Sequence, residues 1–168
     1  VMESGDYDQE TLQRLTSEGF PPELSIAALE YEDHQPPLYY LLAAPLFWLT
    51  GGSVLALRLF TLLLGGVGVM MILNIVREFF PDTPYLVWLG SGTVAFIPQL
   101  VSITASINND ALTFALLWLW LWLALKFLQG SGSPWVLGGV AGALLVTKTT
   151  GYGVLVLIPL VVYLRWRR

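Results

Sequence analysis

The single histidine of the chain, His34, stands among three carboxylates, those of Glu30, Glu32 and Asp33. Imidazole and carboxylate groups in one short segment are suitable ligands for a divalent cation, and a cation held there could bridge to a phosphate. A solvated acidic loop in front of a helix explains the same residues, so both interpretations stay open. If the segment does hold a metal ion, we expect His34 and Glu32 to be its ligands.

Two prolines, Pro36 and Pro37, follow this acidic segment and predict the start of a helix. Proline suits the first turn because its missing N–H would have no partner inside the helix. The amides of Leu38 and Tyr39 then lack partners within the helix, and the N-terminus of a helix favours an anion. The pattern therefore predicts a phosphate-binding helix start next to His34.

A second polar group, Ser106 followed by Asn108, Asn109 and Asp110, separates two long apolar segments. An acid at a membrane boundary is a candidate for function because charged groups are costly there. The simpler alternative is a polar turn between two membrane spans, with Asp110 as the N-cap of the next helix. Both interpretations of Asp110 stay open at this point.

A third candidate is Lys148, which lies with three threonines between two short apolar segments. Its ammonium group could neutralise the phosphate of a lipid-linked substrate. The alternative is a lysine whose stem packs on the membrane while its charged end reaches water. By contrast, Trp118, Trp120 and Trp122 recur with a period of two on a predicted helix, which favours lipid-facing bulk over a sugar-binding surface.

The composition is that of a membrane protein. Hydrophobic residues make up 55% of the chain, charged residues 12%, and the mean hydropathy is +0.67, whereas about a quarter of the residues of a soluble domain are charged. Nine of the twelve acids lie between Glu3 and Asp33. The absence of cysteine excludes disulfides, thiolate catalysis and cysteine-bound zinc. No basic patch lies outside the terminal arginines, so nothing points to nucleic acid.

We predict an all-α, polytopic transmembrane protein in two parts. Residues 1–52 form an external loop with short helices and a re-entrant or interfacial segment. The apolar stretch from Pro36 to Leu49 is shorter than the roughly 20 residues that a span needs. Residues 53–168 form the membrane module, with predicted transmembrane helices at about 53–76, 84–107, 110–128, 134–147 and 151–164.

The distribution of charge predicts the membrane topology. If the segment from Pro36 to Leu49 does not cross the membrane, Lys126 and the terminal arginines share one side, and His34, Asp110 and Lys148 share the other. The positive-inside rule favours this arrangement, because it places most Lys and Arg residues in the cytoplasm. The three candidate groups are then expected together on the non-cytoplasmic face.

The sequence resembles the GT-C membrane glycosyltransferases in an ordered set of motifs. These are HQPPLYY at 34–40, a short apolar segment that ends at Gly51 and Gly52, ALRLF at 56–60, SINNDALTF at 106–114 and LLVTKTTG at 144–151. The similarity covers essentially the whole chain and is greatest to the protein O-mannosyltransferase-like and lipid A aminoarabinose transferase-like branch. It implies a GT-C-type membrane module with juxtamembrane helices. We expect the chain to be an N-terminal fragment, with a span before Val1 and further spans after Arg168.

The resemblance also implies roles for individual residues. The catalytic acid of the family falls near Ser4, where the family's Asp-Glu pair is missing and Glu3 and Asp6 flank the position. We expect Glu3, Asp6 or an acid further upstream to be the catalytic base. Asp110 matches a second catalytic acid, and His34 occupies the position of a metal ligand. The residues expected to bind substrate are Gln35, Tyr39, Arg58, Asn109 and Lys148.

The implied reaction takes a sugar from a polyprenyl-phosphate donor in the membrane lipid and passes it to a hydroxyl of a glycan, lipid or protein. A divalent metal ion is a candidate cofactor. The expected location is the bacterial cytoplasmic membrane, with the active site facing outside. Two other classes stay open: a non-catalytic accessory protein of the same fold, which the missing Asp-Glu pair favours, and a transporter of lipids or solutes. A transporter would carry charges or broken helices near mid-membrane, and we expect the spans to be uninterrupted there.

Overall fold

The structure, a computed structural model, describes Gln13, Arg14, Ser17 and residues 35–167. It divides the chain into two compact units, Val1–Gln35 and Pro36–Arg168, and the helical bundle belongs to the second. Every regular element in the described part of this unit is helical, which confirms the all-α prediction. The elements are α1 Leu38–Leu49, α2 Val54–Phe79, α3 Pro84–Ala95, α4 Pro98–Ala105, α5 Asp110–Gln129, α6 Pro134–Leu145, a 3-10 turn at Thr149–Gly153, and α7 Val154–Trp166.

Three helical segments of the described chain are long and apolar enough to cross a membrane: Val54–Phe79, Asp110–Gln129 and Thr149–Trp166. A fourth span is obtained if the bent pair α3 and α4 is counted as one. The helices α1 and α6 have 12 residues each, about 18 Å in length, which is short of the roughly 30 Å of bilayer hydrocarbon. The chain is therefore a polytopic helical membrane protein, as predicted.

The long helices α2 and α5 run parallel at the centre of the bundle. Near their starts, Leu57 of α2 and Leu112 of α5 belong to one buried cluster. Near their ends, Glu78 of α2 forms an ion pair with Lys126 of α5. We name these two ends of the bundle the Asp110 end and the Lys126 end. Because α3 and α4 connect two parallel helices, they return the chain from the Lys126 end to the Asp110 end.

The predicted span 84–107 is divided into two helices that differ in direction by 62°. The break falls at Phe96 and Ile97, directly before Pro98. Proline has no N–H for the helical hydrogen bonds and disfavours helical backbone in the preceding residue. Accordingly, Ile97 is extended, with φ −61° and ψ 123°. The expectation that all spans are uninterrupted at mid-depth is therefore wrong for this segment.

Two glycines of α2 let neighbouring helices approach closely. A Cβ atom on Gly65 would lie 2.2 Å from Cγ2 of Thr104 in α4, and one on Gly68 would lie 2.2 Å from Cε1 of Phe114 in α5. Membrane helices use small residues at such contacts because lipid is as apolar as their side chains, so that close packing must drive association. These contacts hold α4 and α5, which flank the polar residues 106–110, against α2.

Trp120 lies in the core of the bundle. Its side chain is 1% exposed, and it belongs to one buried cluster with Ala124 of α5, Leu137 and Leu144 of α6 and Val154 of α7. The predicted lipid-facing position of Trp120 is therefore wrong. The period of two in the sequence does not show which of the three tryptophans faces α6 and α7.

The short helix α1 begins and ends at the Asp110 end. Its first amide, that of Leu38, donates to the carbonyl oxygen of Val146 after α6, at 2.9 Å. Its last residue, Leu49, is followed by a turn in which Gly51 and Gly52 have positive φ angles of 61° and 80°, a conformation that favours glycine. The turn leads directly into α2, so α1 does not run to the Lys126 end.

Candidate active site

The start of α5 is built by the side chain of Asn108. Its Oδ1 accepts the amide N–H of Asp110 at 3.0 Å, and its Nδ2 donates to Oγ of Ser106 at 2.8 Å. An asparagine side chain commonly accepts the amide two residues further along the chain in this way, and here that turn leads into the helix, whose N-cap residue is Asn109. Asp110 is the first residue of α5. The interpretation of Asp110 as the N-cap is therefore wrong, and its carboxylate has another partner.

That partner is Lys148. Nζ of Lys148 lies 2.7 Å from Oδ1 of Asp110, and the two side chains are 17% and 38% exposed, respectively. Lys148 follows α6, so the contact joins the start of α5 to the linker between α6 and α7. Two residues that the sequence singled out in separate motifs thus meet as an ion pair at the Asp110 end.

The linker at residues 146–148 also binds α1 and α5 through its backbone. The carbonyl oxygen of Val146 accepts the amide of Leu38 at 2.9 Å, and that of Thr147 accepts Nδ2 of Asn109 at 3.5 Å. The starts of α1 and α5 are therefore both attached to the residues that precede the lysine. The expectation that the Leu38 amide stays available for an anion is wrong, because a carbonyl far along the chain satisfies it.

Gly151 lets the chain turn tightly after Lys148. Its amide donates to the carbonyl oxygen of Lys148 at 2.9 Å, and a Cβ atom on Gly151 would lie 2.5 Å from the carbonyl oxygen of Leu144. The same Leu144 oxygen accepts the amides of Thr147 at 3.1 Å and Lys148 at 3.4 Å. The backbone on both sides of Lys148 is therefore fixed, and this limits where its ammonium group can reach.

Two of the residues predicted to bind substrate are buried. Tyr39 is 1% exposed, and its hydroxyl lies 3.1 Å from Oγ1 of Thr61. Burial raises the pKa of the Tyr39 hydroxyl above its ordinary value, so the group stays protonated. Asn109 is buried as well, whereas Arg58 is exposed in the second turn of α2. Tyr39 and Asn109 therefore support the site from within the protein.

The ion pair of Asp110 and Lys148 and the hydrogen bonds around it form one cluster at the Asp110 end. Two residues that hold this cluster together, Asn108 and Thr147, are not among the predicted site residues. Asn108 has a local signal, because asparagine commonly accepts a backbone amide two residues on in the turn before a helix. Thr147 belongs to the motif at 144–151, but its role is not visible there, because its carbonyl oxygen meets the side chain of Asn109 only in the folded chain.

Part of the predicted site lies outside the described residues: Glu3, Asp6, Glu32 and His34. Gln35 is described, as the last residue of the N-terminal unit. In the described part of the chain, no three His, Cys, Asp or Glu side chains are placed to hold a metal ion. The carboxylate of Asp110 is engaged by Lys148. The described residues alone therefore do not fit a divalent cation.

Comparison with known proteins identifies the family. Neither a search of curated proteins nor a search of solved structures found a match. The family model described as dolichyl-phosphate-mannose-protein mannosyltransferase matches residues 34–168, which include α1 to α7 and the whole cluster at the Asp110 end. Because this match extends over most of the chain, the chain belongs to the dolichyl-phosphate-mannose-protein mannosyltransferase family of GT-C-type membrane glycosyltransferases.

Proposed function

We propose that this chain forms part of a glycosyltransferase that moves a sugar from a polyprenyl-phosphate donor to an acceptor hydroxyl. The observation that carries the proposal is the meeting of three sequence motifs around the ion pair of Asp110 and Lys148. A lysine at the end of a bundle of apolar helices suits a substrate with a phosphate head and a lipid tail. Membership of a family of membrane mannosyltransferases supports the same reaction class.

We further propose that the Asp110 end faces away from the cytoplasm. Arg77, Lys126 and Arg165 lie in the last turns of α2, α5 and α7. Arg165 reaches the carbonyl oxygen of Leu128 at 3.4 Å, so these three helices finish at the Lys126 end. The cytoplasmic ends of spans carry an excess of Lys and Arg, which assigns the Lys126 end to the cytoplasm. In a bacterial cytoplasmic membrane, the site would then face outside.

In the proposed reaction, the oxygen of the acceptor hydroxyl attacks the anomeric carbon of the sugar. The bond between that carbon and the phosphate oxygen breaks, and the configuration at the carbon inverts. The hydroxyl proton passes to a carboxylate in the N-terminal acidic segment, for which Glu3 and Asp6 are the proposed bases. Lys148 neutralises the charge of the departing phosphate, and Asp110 holds the lysine in place until the donor binds.

A divalent cation is proposed on residue types alone, with His34 and Glu32 as its ligands. When bound, it would supply further positive charge for the donor phosphate. Calorimetric titration of Mg²⁺ and Mn²⁺ into the wild-type protein and a His34→Ala variant tests this. Binding that is unchanged in the variant would contradict a site at His34.

The proposed function is tested by transfer assays on the full-length protein in lipid nanodiscs, with a series of radiolabelled polyprenyl-phosphate sugars and several hydroxyl acceptors. We expect release of polyprenyl phosphate coupled to product formation. Lys148→Met should lower the rate at least about tenfold, because a hydrogen bond to a charged group contributes about 1.5–3 kcal/mol.

Lys126→Met is the matched control for this variant. It removes another ion-paired lysine, at the opposite end of the bundle, and should retain activity. Equal losses in the two variants would contradict a role for Lys148 at the site. The absence of donor turnover with every sugar would contradict the proposed function as a whole.

A transporter is the second candidate, because α3 and α4, counted as one span, form a broken one with a bend of 62°. Broken helices of transporters present backbone or charged groups to the substrate. Here the hydroxyls of Ser91 and Thr93 donate within their own helix, to the carbonyl oxygens of Val87 and Leu89, at 2.8 Å each. Residues 91–99 carry no charge. Movement of donor lipid between the leaflets of proteoliposomes, without sugar transfer, would favour the transporter.

A further inference from the structure

The two partners of the ion pair at the Asp110 end differ in their surroundings. Lys148 is the more buried, with 17% of its side chain exposed against 38% for Asp110. A largely desolvated ammonium group needs a counter-charge, because leaving it unpaired is costly. In the structure, Asp110 supplies that charge.

Asp110 depends less on the pair than Lys148 does. It is the first residue of α5, where the positive end of the helix dipole stabilises a carboxylate. Its amide is satisfied by Asn108, so the helix start does not rely on the position of the carboxylate. The carboxylate can therefore release the lysine at modest cost, whereas the lysine requires another anion in its place.

From this asymmetry we infer that Asp110 is a placeholder for the donor phosphate. It holds the ammonium group of Lys148 in the absence of substrate and is replaced there when the phosphate enters. The inference rests on the proposed function and extends it with a description of how the donor phosphate enters the site. The exchange involves no covalent change, because one anion replaces another at Nζ of Lys148. Asp110 is thus a positioning residue that competes with the substrate.

Asp110 both holds Lys148 in place and competes with the phosphate for it. These two roles predict tighter binding of the phosphate together with a lower kcat when Asp110 is substituted. Asp110→Asn should lower the dissociation constant for polyprenyl phosphate by about twofold to fivefold, the range expected for one partly exposed ion pair. The same variant should lower kcat, because a lysine that Asp110 no longer holds in place before the donor binds engages the phosphate in arrangements that do not react. Lys148→Met should raise the dissociation constant. In the double variant, the Asn substitution should bring no tightening, because no lysine remains to be released.

The experiment measures binding of polyprenyl phosphate to the full-length protein in nanodiscs of neutral lipid. Polyprenol, which has the same chain without the phosphate, is the ligand control. Glu78→Gln is the matched protein control, because it breaks the ion pair with Lys126 at the other end of the bundle and should leave binding unchanged. Asp110→Ser repeats the test should the Asn variant misfold.

Tighter binding of polyprenyl phosphate, but not of polyprenol, in the Asp110 variants supports the inference. Equal or weaker binding overturns it, as does tightening that extends to polyprenol or persists without Lys148; these outcomes leave the proposed function intact. If the wild-type protein binds polyprenyl phosphate no better than polyprenol, both the inference and the proposed function are overturned.

Discussion

The carboxylate of Asp110 pairs with Lys148 and does not cap its helix. Substitution of Asp110 by Asn should therefore lower activity with little loss of stability. In Asp110→Asn, the side chain of Asn108 can still accept the amide of residue 110 at the start of α5, and the loss of one partly exposed ion pair costs about 1 kcal/mol or less. We expect the variant to melt within about 5 °C of wild type and to lose most of its transfer activity. Thermal melting and transfer at saturating donor, measured on the same preparation, check this. Full activity would remove Asp110 from the site.

His34 is the subject of a second prediction, motivated by its acidic neighbours and by the helix start that follows. His34→Ala should lower transfer at least about tenfold, because even a residue that only orients a metal ligand contributes about 10-fold to 100-fold. The rate is compared at equal expression and equal melting temperature. Wild-type activity in this variant would return His34 to a solvated acidic loop.

The sequence predicts residue types at the site better than it predicts their partners. Asp110 and Lys148 stand out because charges are rare among apolar helices. Tyr39 and Asn109 belong to the motifs at 34–40 and 106–114 but are buried, because a motif does not show which side of a helix faces the core. The partner of the Leu38 amide could not be predicted, because it is a carbonyl oxygen far along the chain.

At the scale of elements, the linker that carries Lys148 depends on Gly151. Gly151→Ala would place a methyl group 2.5 Å from the carbonyl oxygen of Leu144, so the backbone must shift. We expect a loss of about 1–3 kcal/mol of stability, and reduced transfer because Lys148 moves with the linker. Gly153→Ala is the matched control, because a Cβ there meets no atom within 4 Å. Similar melting temperatures and rates for the two variants would contradict this account of the linker.

Most helices can be predicted from the sequence, because apolar runs show their extent and prolines often mark their starts. Prolines begin α3 and α6, at the predicted starts of these helices, as expected from the tolerance of proline in a first helical turn. The bend at Pro98, where α4 begins, is not predicted, for a physical reason. Averaged hydropathy is high on both sides of this proline, whereas the loss of one backbone donor is a local effect that the average does not register.

At the scale of the whole molecule, the parallel course of α2 and α5 decides which polar groups share an end. Charge alone predicts that Asp110 and Lys148 share a side, because the positive-inside rule needs no knowledge of contacts. How closely α2 packs against α4 could not be predicted, because the distance depends on which residues face each other, as Gly65 faces Thr104. The place of His34 beside this cluster stays a prediction.

We propose that the acidic segment before α1 and the start of α5 face the same, non-cytoplasmic side of the membrane. The chain contains no cysteine, so single-cysteine variants report on one position each. Suitable variants are Asp33→Cys, Ile107→Cys in the exposed turn before α5, and Ser131→Cys in the exposed turn between α5 and α6.

The decisive measurement is labelling of these variants in intact cells with a membrane-impermeant maleimide. We expect Asp33→Cys and Ile107→Cys both to be labelled from outside, whereas Ser131→Cys should be labelled only after the membrane is permeabilised. Labelling of only one of positions 33 and 107, or labelling of Ser131→Cys in intact cells, would contradict the topology. It would also contradict the proposal that His34, Asp110 and Lys148 lie on one face of the membrane.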